Sequence, residues 1–212
     1  MTVVPFARPQ QRAANGVTIL PRRDLRTGVV AAGVVRAWTL DGDLVDALVA
    51  GRQAWRAAGH TSPLAIVPTF ERLADAASAG DLAAEIQLND ISPRAVDIEV
   101  SESDLAGRSM AGIERLRARG FGVALVVDPD CPLPLGARAR SLFTELLFPA
   151  PSRLDPFLGC ETLDQSPVAR RLSAARECGL VVTAVGVGDH TWARALLAAG
   201  FDRGEGPYAP TY

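Results

Sequence analysis

Apolar and polar positions alternate along this chain in a way that separates strands from helices. Val123–Val127 (VALVV) is an unbroken apolar run, as expected of a strand buried on both faces. Val96–Val100 (VDIEV) alternates more and predicts a second strand. Between them lies a helical pattern ending in RLRARG at Arg115–Gly120. Strand, helix and strand within about thirty residues predict one βαβ unit with a parallel pair. Polar residues follow both strands, Ser101–Asp104 after the first and Asp128–Asp130 after the second. Ligands in α/β folds sit at the C-terminal ends of strands, so a site is expected there.

The same rhythm extends over the rest of the chain. Residues 17–25 predict a strand weakened by Pro21, a turn at Asp24–Gly28, and a strand over Val29–Trp38, together a hairpin. Asp41–Gly59 predicts a helix with Leu44, Val45 and Leu48 on one face and Gly59 just past its end. Leu64–Val67 predicts a short strand, and Ala-rich Phe70–Leu88 a helix interrupted near Gly80. Leu142–Phe148 and Leu180–Val185 predict further strands, with a loop over Pro149–Gln165. Ser166-Pro167 supplies a cap and an N1 proline for a helix reaching Cys178, with Val168, Leu172 and Ala175 inward. Asp189 caps a last helix closed by Gly200. About seven or eight strands in this order predict α/β, and a (β/α) barrel ahead of an open sheet. Residues 1–16 read as a flexible lead-in and not a signal peptide, and 17–212 as one domain.

Composition narrows the function classes. The 212 residues suit one sizeable core. A net charge of −2 argues against nucleic-acid polymers and anionic membrane surfaces as partners. All 22 basic residues are arginine, a choice consistent with codon bias and also with planar bidentate contacts. No apolar run is long enough for a membrane span. Cys131, Cys160 and Cys178 are odd in number and form no CxxC, which points to a reducing, cytoplasmic setting without disulfides or zinc. No GxGxxG, Walker loop or GxSxG is present. His60 and His190 are too far apart in sequence to read as a metal pair. Arg115, Arg117 and Arg119 read as a solvated helix face, and Trp38, Trp55 and Trp192 as packing residues.

Several blocks, in order, carry a family resemblance: Asp24-Leu25-Arg26-Thr27-Gly28, AGVVRAW, IEVSES, a G-F-x-V-A-L strand, VVTAVGVGD and a final GEGPYAP. Over roughly residues 17–210 the chain resembles the EAL domain, the family of cyclic-di-GMP phosphodiesterases and their relatives. The resemblance implies a modified (β/α)8 TIM barrel with one antiparallel strand near the N-terminus, which suits the 17–38 hairpin.

It also implies two divalent cations held by acidic side chains and an asparagine, and here the chain departs from the pattern. The glutamate that names the family falls on Gly33, or on Val34 with a one-residue gap, and the arginine before the tryptophan on Ala37. The asparagine falls on Val67, the paired aspartates on Val126 and Val127, and the lysine and aspartate of the next block on Leu147 and Pro149. Two further glutamates fall on Val185 and Gly188, and a glutamine on Glu205. Glu99 alone keeps a ligand position, with Glu102 after it. Hard cations require several oxygen donors, and a two-metal site must stabilise both attacking and leaving oxygens. The expectation is therefore a pseudoenzyme with no metal, no cofactor and no catalytic residue, its barrel mouth plugged by valines and leucines.

Glu99, Glu102, Asp128, Asp130 and Glu205 are the candidate ligand or partner contacts. Glu99 reads either as a relic held by hydrogen bonds or as a contact for a ligand, and Glu102 and Asp104 as a cap for the following helix. The resemblance implies a regulatory protein-interaction module in bacterial signalling, of the motility or cell-cycle type, with an unidentified protein partner. A non-hydrolysing cyclic-di-GMP receptor is the alternative, and homodimerisation is a further expectation.

Overall fold

A computed structural model of the chain describes residues 11–12, 17–37, 44–106, 108–128, 136, 138–149 and 167–206. Eight strands close a barrel: β2 (Val17–Asp24), β3 (Val30–Ala37), β4 (Leu64–Ile66), β5 (Val96–Ser101), β6 (Gly122–Val126), β7 (Glu145–Pro149), β8 (Val181–Val185) and β9 (Arg203–Glu205). The strands from β3 to β9 pair in parallel in sequence order. β2 runs antiparallel between β3 and β9 and closes the ring. The expected (β/α)8 barrel with one reversed strand is therefore the observed fold. A short β1 (Gln11–Arg12) pairs with Ile19 and Thr18 of β2, which ties the end of the lead-in to the sheet.

Pro21 does not break β2, for a geometric reason. Pro21 is paired with Gly33, whose own N–H turns away to donate to Pro63 O at 2.9 Å. The two residues thus form a non-hydrogen-bonded pair, and the donor that proline lacks would face the other way. There the pairing with β9 starts only at Arg22.

Helices cover the strands: α1 (Leu44–Ala57), α2 (Ala76–Leu88), α3 (Glu102–Leu105), α4 (Ala111–Ala118), α5 (Ala139–Leu142), α6 (Pro167–Glu177) and α7 (His190–Ala199). The main core lies between this shell and the outer faces of the strands, and includes Ile19, Val35, Trp55, Leu64, Ile98 and Leu125. Gly33 belongs to this layer. A Cβ there would lie 2.8 Å from Ile19 and 2.9 Å from Leu64 and Trp55, so only glycine lets α1 pack this closely.

Three element boundaries differ from the sequence reading. The break in 70–88 falls at Asp75, whose carboxylate accepts from the N–H groups of Ala77 and Ser78, both at 2.8 Å. That cap starts α2 and leaves Gly80 inside it. The segment from Leu142 splits, because Ala139–Leu142 turns into a helix and the strand begins at Glu145. The cap of α3 is Ser101, which accepts from Asp104 N at 3.0 Å, and Glu102 serves elsewhere. Asp189 does cap α7, accepting from Trp192 N at 2.8 Å. Ser166, Trp38, Cys131, Cys160 and most of the loops 129–137 and 150–166 lie outside the described residues.

Candidate functional site: the barrel lumen and its mouth

Side chains alternate across a strand, so every second residue points into the barrel. On β3, Gly33 and Val35 pack outward, which leaves Ala32, Val34 and Arg36 inward. The same alternation turns Leu20 and Arg22 of β2, Asp97 and Glu99 of β5, Glu145 and Leu147 of β7, Thr183 and Val185 of β8, and Arg203 and Glu205 of β9 toward the axis.

Arg22 occupies the centre and is 0% exposed. Its Nη2 donates to Glu99 Oε1 at 2.6 Å and to Glu205 Oε2 at 2.8 Å, and its Nη1 donates to Glu145 Oε2 at 3.1 Å. Its Nε–H has no acceptor among the described residues. Two further arginines complete the network. Arg36 Nη2 donates to Glu205 Oε1 at 3.1 Å, and its Nη1 lies 3.6 Å from Glu99 Oε2. Arg203 Nη1 reaches Glu145 Oε2 at 3.5 Å, and Thr183 Oγ1 donates to Glu145 Oε1.

Three guanidinium groups thus face three carboxylates. Moving one such ion out of water costs several kcal/mol, and only convergent, hydrogen-bonded partners offset this. Burial alone would depress the Arg22 guanidinium. The charges of Glu145, Glu99 and Glu205 outweigh burial and hold it firmly protonated. Burial pushes the Glu99 carboxyl up, Arg22 pulls it back, and the nearby Glu205 pushes it further up.

Asp97 is a further acid of β5 on the inward face. Its carboxyl is pushed up to about 6, first by burial and then by the charge of Glu145, against the pull of Arg22, Arg203 and Arg117. It packs on Gly122 of the next strand, where a Cβ would lie 1.8 Å from Asp97 Oδ1.

The mouth is made differently. Arg36, 35% exposed, is the member of the network that reaches toward it. Above the network lie Val67, 48% exposed, and the half-buried Val126 and Val185. Pro149 and Gly188 are exposed. Leu147 is buried below them, and Val127 turns outward into the helix layer. Apolar side chains therefore line the mouth, and in the lumen beneath it the inward Val34 and Leu147 share the space with the arginine–glutamate pairs.

The candidate residues divide into separate places. Glu99 and Glu205 meet on Arg22. Glu102 is 0% exposed and lies in a second cluster, where it pairs with Arg171 of α6 and accepts from Asp128 N at 2.8 Å. Glu102 is thus a buried anchor between α3, α6 and the end of β6, not part of a helix cap. Asp128 contributes its backbone to that cluster. Asp130 lies outside the described residues.

Sequence reasoning missed Arg22, Arg36, Glu145, Arg203 and Asp97. Of the two positions expected for the family glutamate, Gly33 faces outward and Val34 faces the lumen, while Ala37, expected for the arginine, falls on the outward face. Gly33 faces the helices, so the inward set is shifted by one residue, and Arg36 takes the arginine's direction. Arg22 left a faint signal: an arginine two residues after Leu20 on a strand whose other face packs on the core.

Among protein-family models and among curated proteins, nothing matches the chain. Solved structures do. The EAL domain of Mycobacterium smegmatis DcpA is 24% identical, with a TM-score of 0.65 over 89% of this chain and 88% of that one. The PaMucR phosphodiesterase in complex with c-di-GMP is 16% identical, with a TM-score of 0.67 over 90% of this chain and 88% of that one. Klebsiella pneumoniae BlrP1 in its calcium and cyclic-di-GMP complex is 15% identical, with a TM-score of 0.67 over 94% of this chain and 56% of that one. A closed barrel with one reversed strand, superposing on these structures over nearly its whole length, makes this chain an EAL-like (β/α)8 barrel.

Proposed function

We propose that the chain is a catalytically inactive EAL-like protein that works as a regulatory protein-interaction module in bacterial signalling. The observation that carries this reading is the ownership of the lumen carboxylates. Glu99 and Glu205 each give one oxygen to Arg22 and face Arg36 with the other. A divalent cation needs such oxygens free, at about 2.0–2.6 Å, and in number. Val67, Val126 and Val185 stand at the mouth, where oxygen donors would be required. Among the described residues, no three His, Cys, Asp or Glu side chains come together as a metal centre. The residues present therefore do not fit a two-cation site.

A non-hydrolysing receptor for cyclic di-GMP is the second reading, favoured by Arg36. The resemblance makes ligand binding lean on an arginine at this strand end, and Arg36 points inward and is partly exposed. Its engagement by Glu205 and Glu99 weighs the other way, because a phosphate would have to compete with two carboxylates.

One set of measurements tests both readings. Cyclic di-GMP is titrated calorimetrically into the protein with and without Mg2+, and turnover is followed in the same samples. The interaction-module reading expects no turnover and no binding in the micromolar range. Micromolar binding without turnover would favour the receptor. Turnover abolished by Glu99→Ala would remove both.

A further inference from the structure

We propose that an arc of arginines at the end of the barrel opposite the mouth is a docking surface for an acidic segment of a partner protein, an inference that rests on the interaction-module reading and gives it a face. Every loop leading into β5–β9 lies within the described residues, so the arc can be followed from strand to strand. Arg94 stands exposed on the turn before β5. Its neighbour Pro93 lies beside Gly120, where a Cβ would be 3.9 Å from Pro93 Cβ. Next to Gly120, Arg119 Nη1 donates to Gln87 Oε1 at 3.2 Å. Arg117 Nη1 donates to Phe121 O at 2.8 Å, and its Nε donates to Ser141 O at 3.4 Å before β7. Exposed Arg140 of α5 lies over Gly179 before β8, where a Cβ would be 2.7 Å from its Nη2. Exposed Arg176, in the last turn of α6, donates to Gly200 O before β9.

The hydrogen bonds that hold these arginines all end on neutral oxygens. A carbonyl or amide acceptor orders a guanidinium and leaves its charge whole. The remaining N–H groups keep the fork that a carboxylate meets in parallel bonds. Side chains ordered before binding also lose less entropy when a partner arrives. Among the described residues, the ion pairs engage Arg22, Arg36, Arg72, Arg138, Arg171 and Arg203, and none of the five in the arc. Arg117 does feel the charge of the buried Asp97. A cation is favoured in the last turn of any helix, which accounts for Arg117, Arg119 and Arg176 at the ends of α4 and α6. It does not account for Arg94 and Arg140, which sit on single turns of 3 and 4 residues with slight dipoles. Three exposed acids, Asp90, Glu177 and Asp202, interrupt the arc. A continuous phosphate backbone or a lipid surface would meet them, whereas a protein segment with spaced carboxylates can pass between them.

The test uses a short fluorescent peptide in which glutamate alternates with serine, followed by anisotropy at low ionic strength. The wild type is expected to bind it, and to bind more weakly as salt is raised. The double reversal Arg94→Glu/Arg140→Glu is expected to weaken binding at least about tenfold. The reversal Arg56→Glu/Arg194→Glu changes the net charge equally at exposed positions on α1 and α7, outside the arc, and is expected to weaken binding less than about twofold. If the first variant does not fold, Arg94→Gln/Arg140→Gln takes its place with the same direction expected. No binding by the wild type would overturn the proposal, and so would equal losses in the two reversals. Tighter binding of an RNA oligomer or a phosphatidylserine vesicle than of the peptide at the same salt would overturn the acidic-protein assignment. Turnover of cyclic di-GMP with peptide binding intact would instead strike the inactive reading and leave the arc standing.

Discussion

The lumen and the mouth of this barrel reverse the usual placing of charge. The deepest point holds a fully buried arginine among three glutamates, while the partly exposed rim carries Val67, Val126 and Val185. Charged groups are seldom fully buried unless paired, and a ligand-binding mouth usually gathers convergent polar groups. The reversal teaches that charge in a barrel need not signal chemistry. Below, every carboxylate of the network is answered by a guanidinium, so the centre is closed on itself. Above, the valines offer no oxygen to a cation. Glu99, Glu205 and Glu102 are each paired with an arginine, and Val67, Val126 and Val185 at the rim are apolar.

The comparison breaks most sharply at Arg22. Arg22→Met keeps much of the volume and removes the charge, stranding three carboxylates against two arginines. Breaking a buried ion network by removing one partner costs about 3–5 kcal/mol, whereas replacing a whole network with apolar side chains is often neutral. Chemical unfolding in EDTA at neutral pH is therefore expected to show a loss of that size. The loss shrinks as pH falls, because a stranded glutamate with a raised folded-state pKa regains stability on taking up a proton. Unchanged stability would mean that the network contributes no more than ordinary packing.

A smaller effect is expected at Asp97, where burial and the charge of Glu145 disfavour the carboxylate. Its carboxyl is raised from 3.8 to about 6 in the folded protein. A raised acid favours folding most when protonated, so its contribution is full below about pH 4 and lost as pH climbs through about 6. Asp97→Asn removes a charge that the fold holds at a cost. The variant is expected to be more stable at neutral pH by about 1–3 kcal/mol and to lose this group's share of the pH dependence between about 4 and 6. Denaturant titrations across that range measure both. A destabilised Asp97→Asn would show that Arg22, Arg203 and Arg117 need this carboxylate more than burial penalises it.

The fold was legible because each strand and helix carries its own periodicity. The unbroken run at 123–127, the cap at Asp189 and the hairpin at 17–38 all required only local reading. The site was less legible because it depends on which face a residue takes, and a slip of one position reverses the answer. Gly33 was one of two positions, with Val34, where a ligand looked lost, and its missing side chain makes room for Trp55 and Leu64. Glu102 looked like part of a helix cap beside Ser101, but it is bound to Arg171, which lies far along the chain. Arg22, Glu99, Glu145 and Glu205 come from four strands, and no local pattern marks them as partners.

The mildest test addresses the rim. Val67 stands where the resemblance places an asparagine, and it is 48% exposed. Val67→Asn therefore buries no new polar group, and its effect on stability is expected to stay within about 0.5 kcal/mol. It restores one neutral oxygen donor beside Val126 and Val185, with Glu99 still held by Arg22 and Arg36. One added donor does not supply the six or so oxygens that a hard cation needs. Thermal unfolding of Val67→Asn is accordingly expected to be the same in Mn2+ as in EDTA. A rise of several degrees in Mn2+ would mean that the rim is a single substitution away from a metal site, and the contrast between a closed interior and an inert mouth would fail at the mouth.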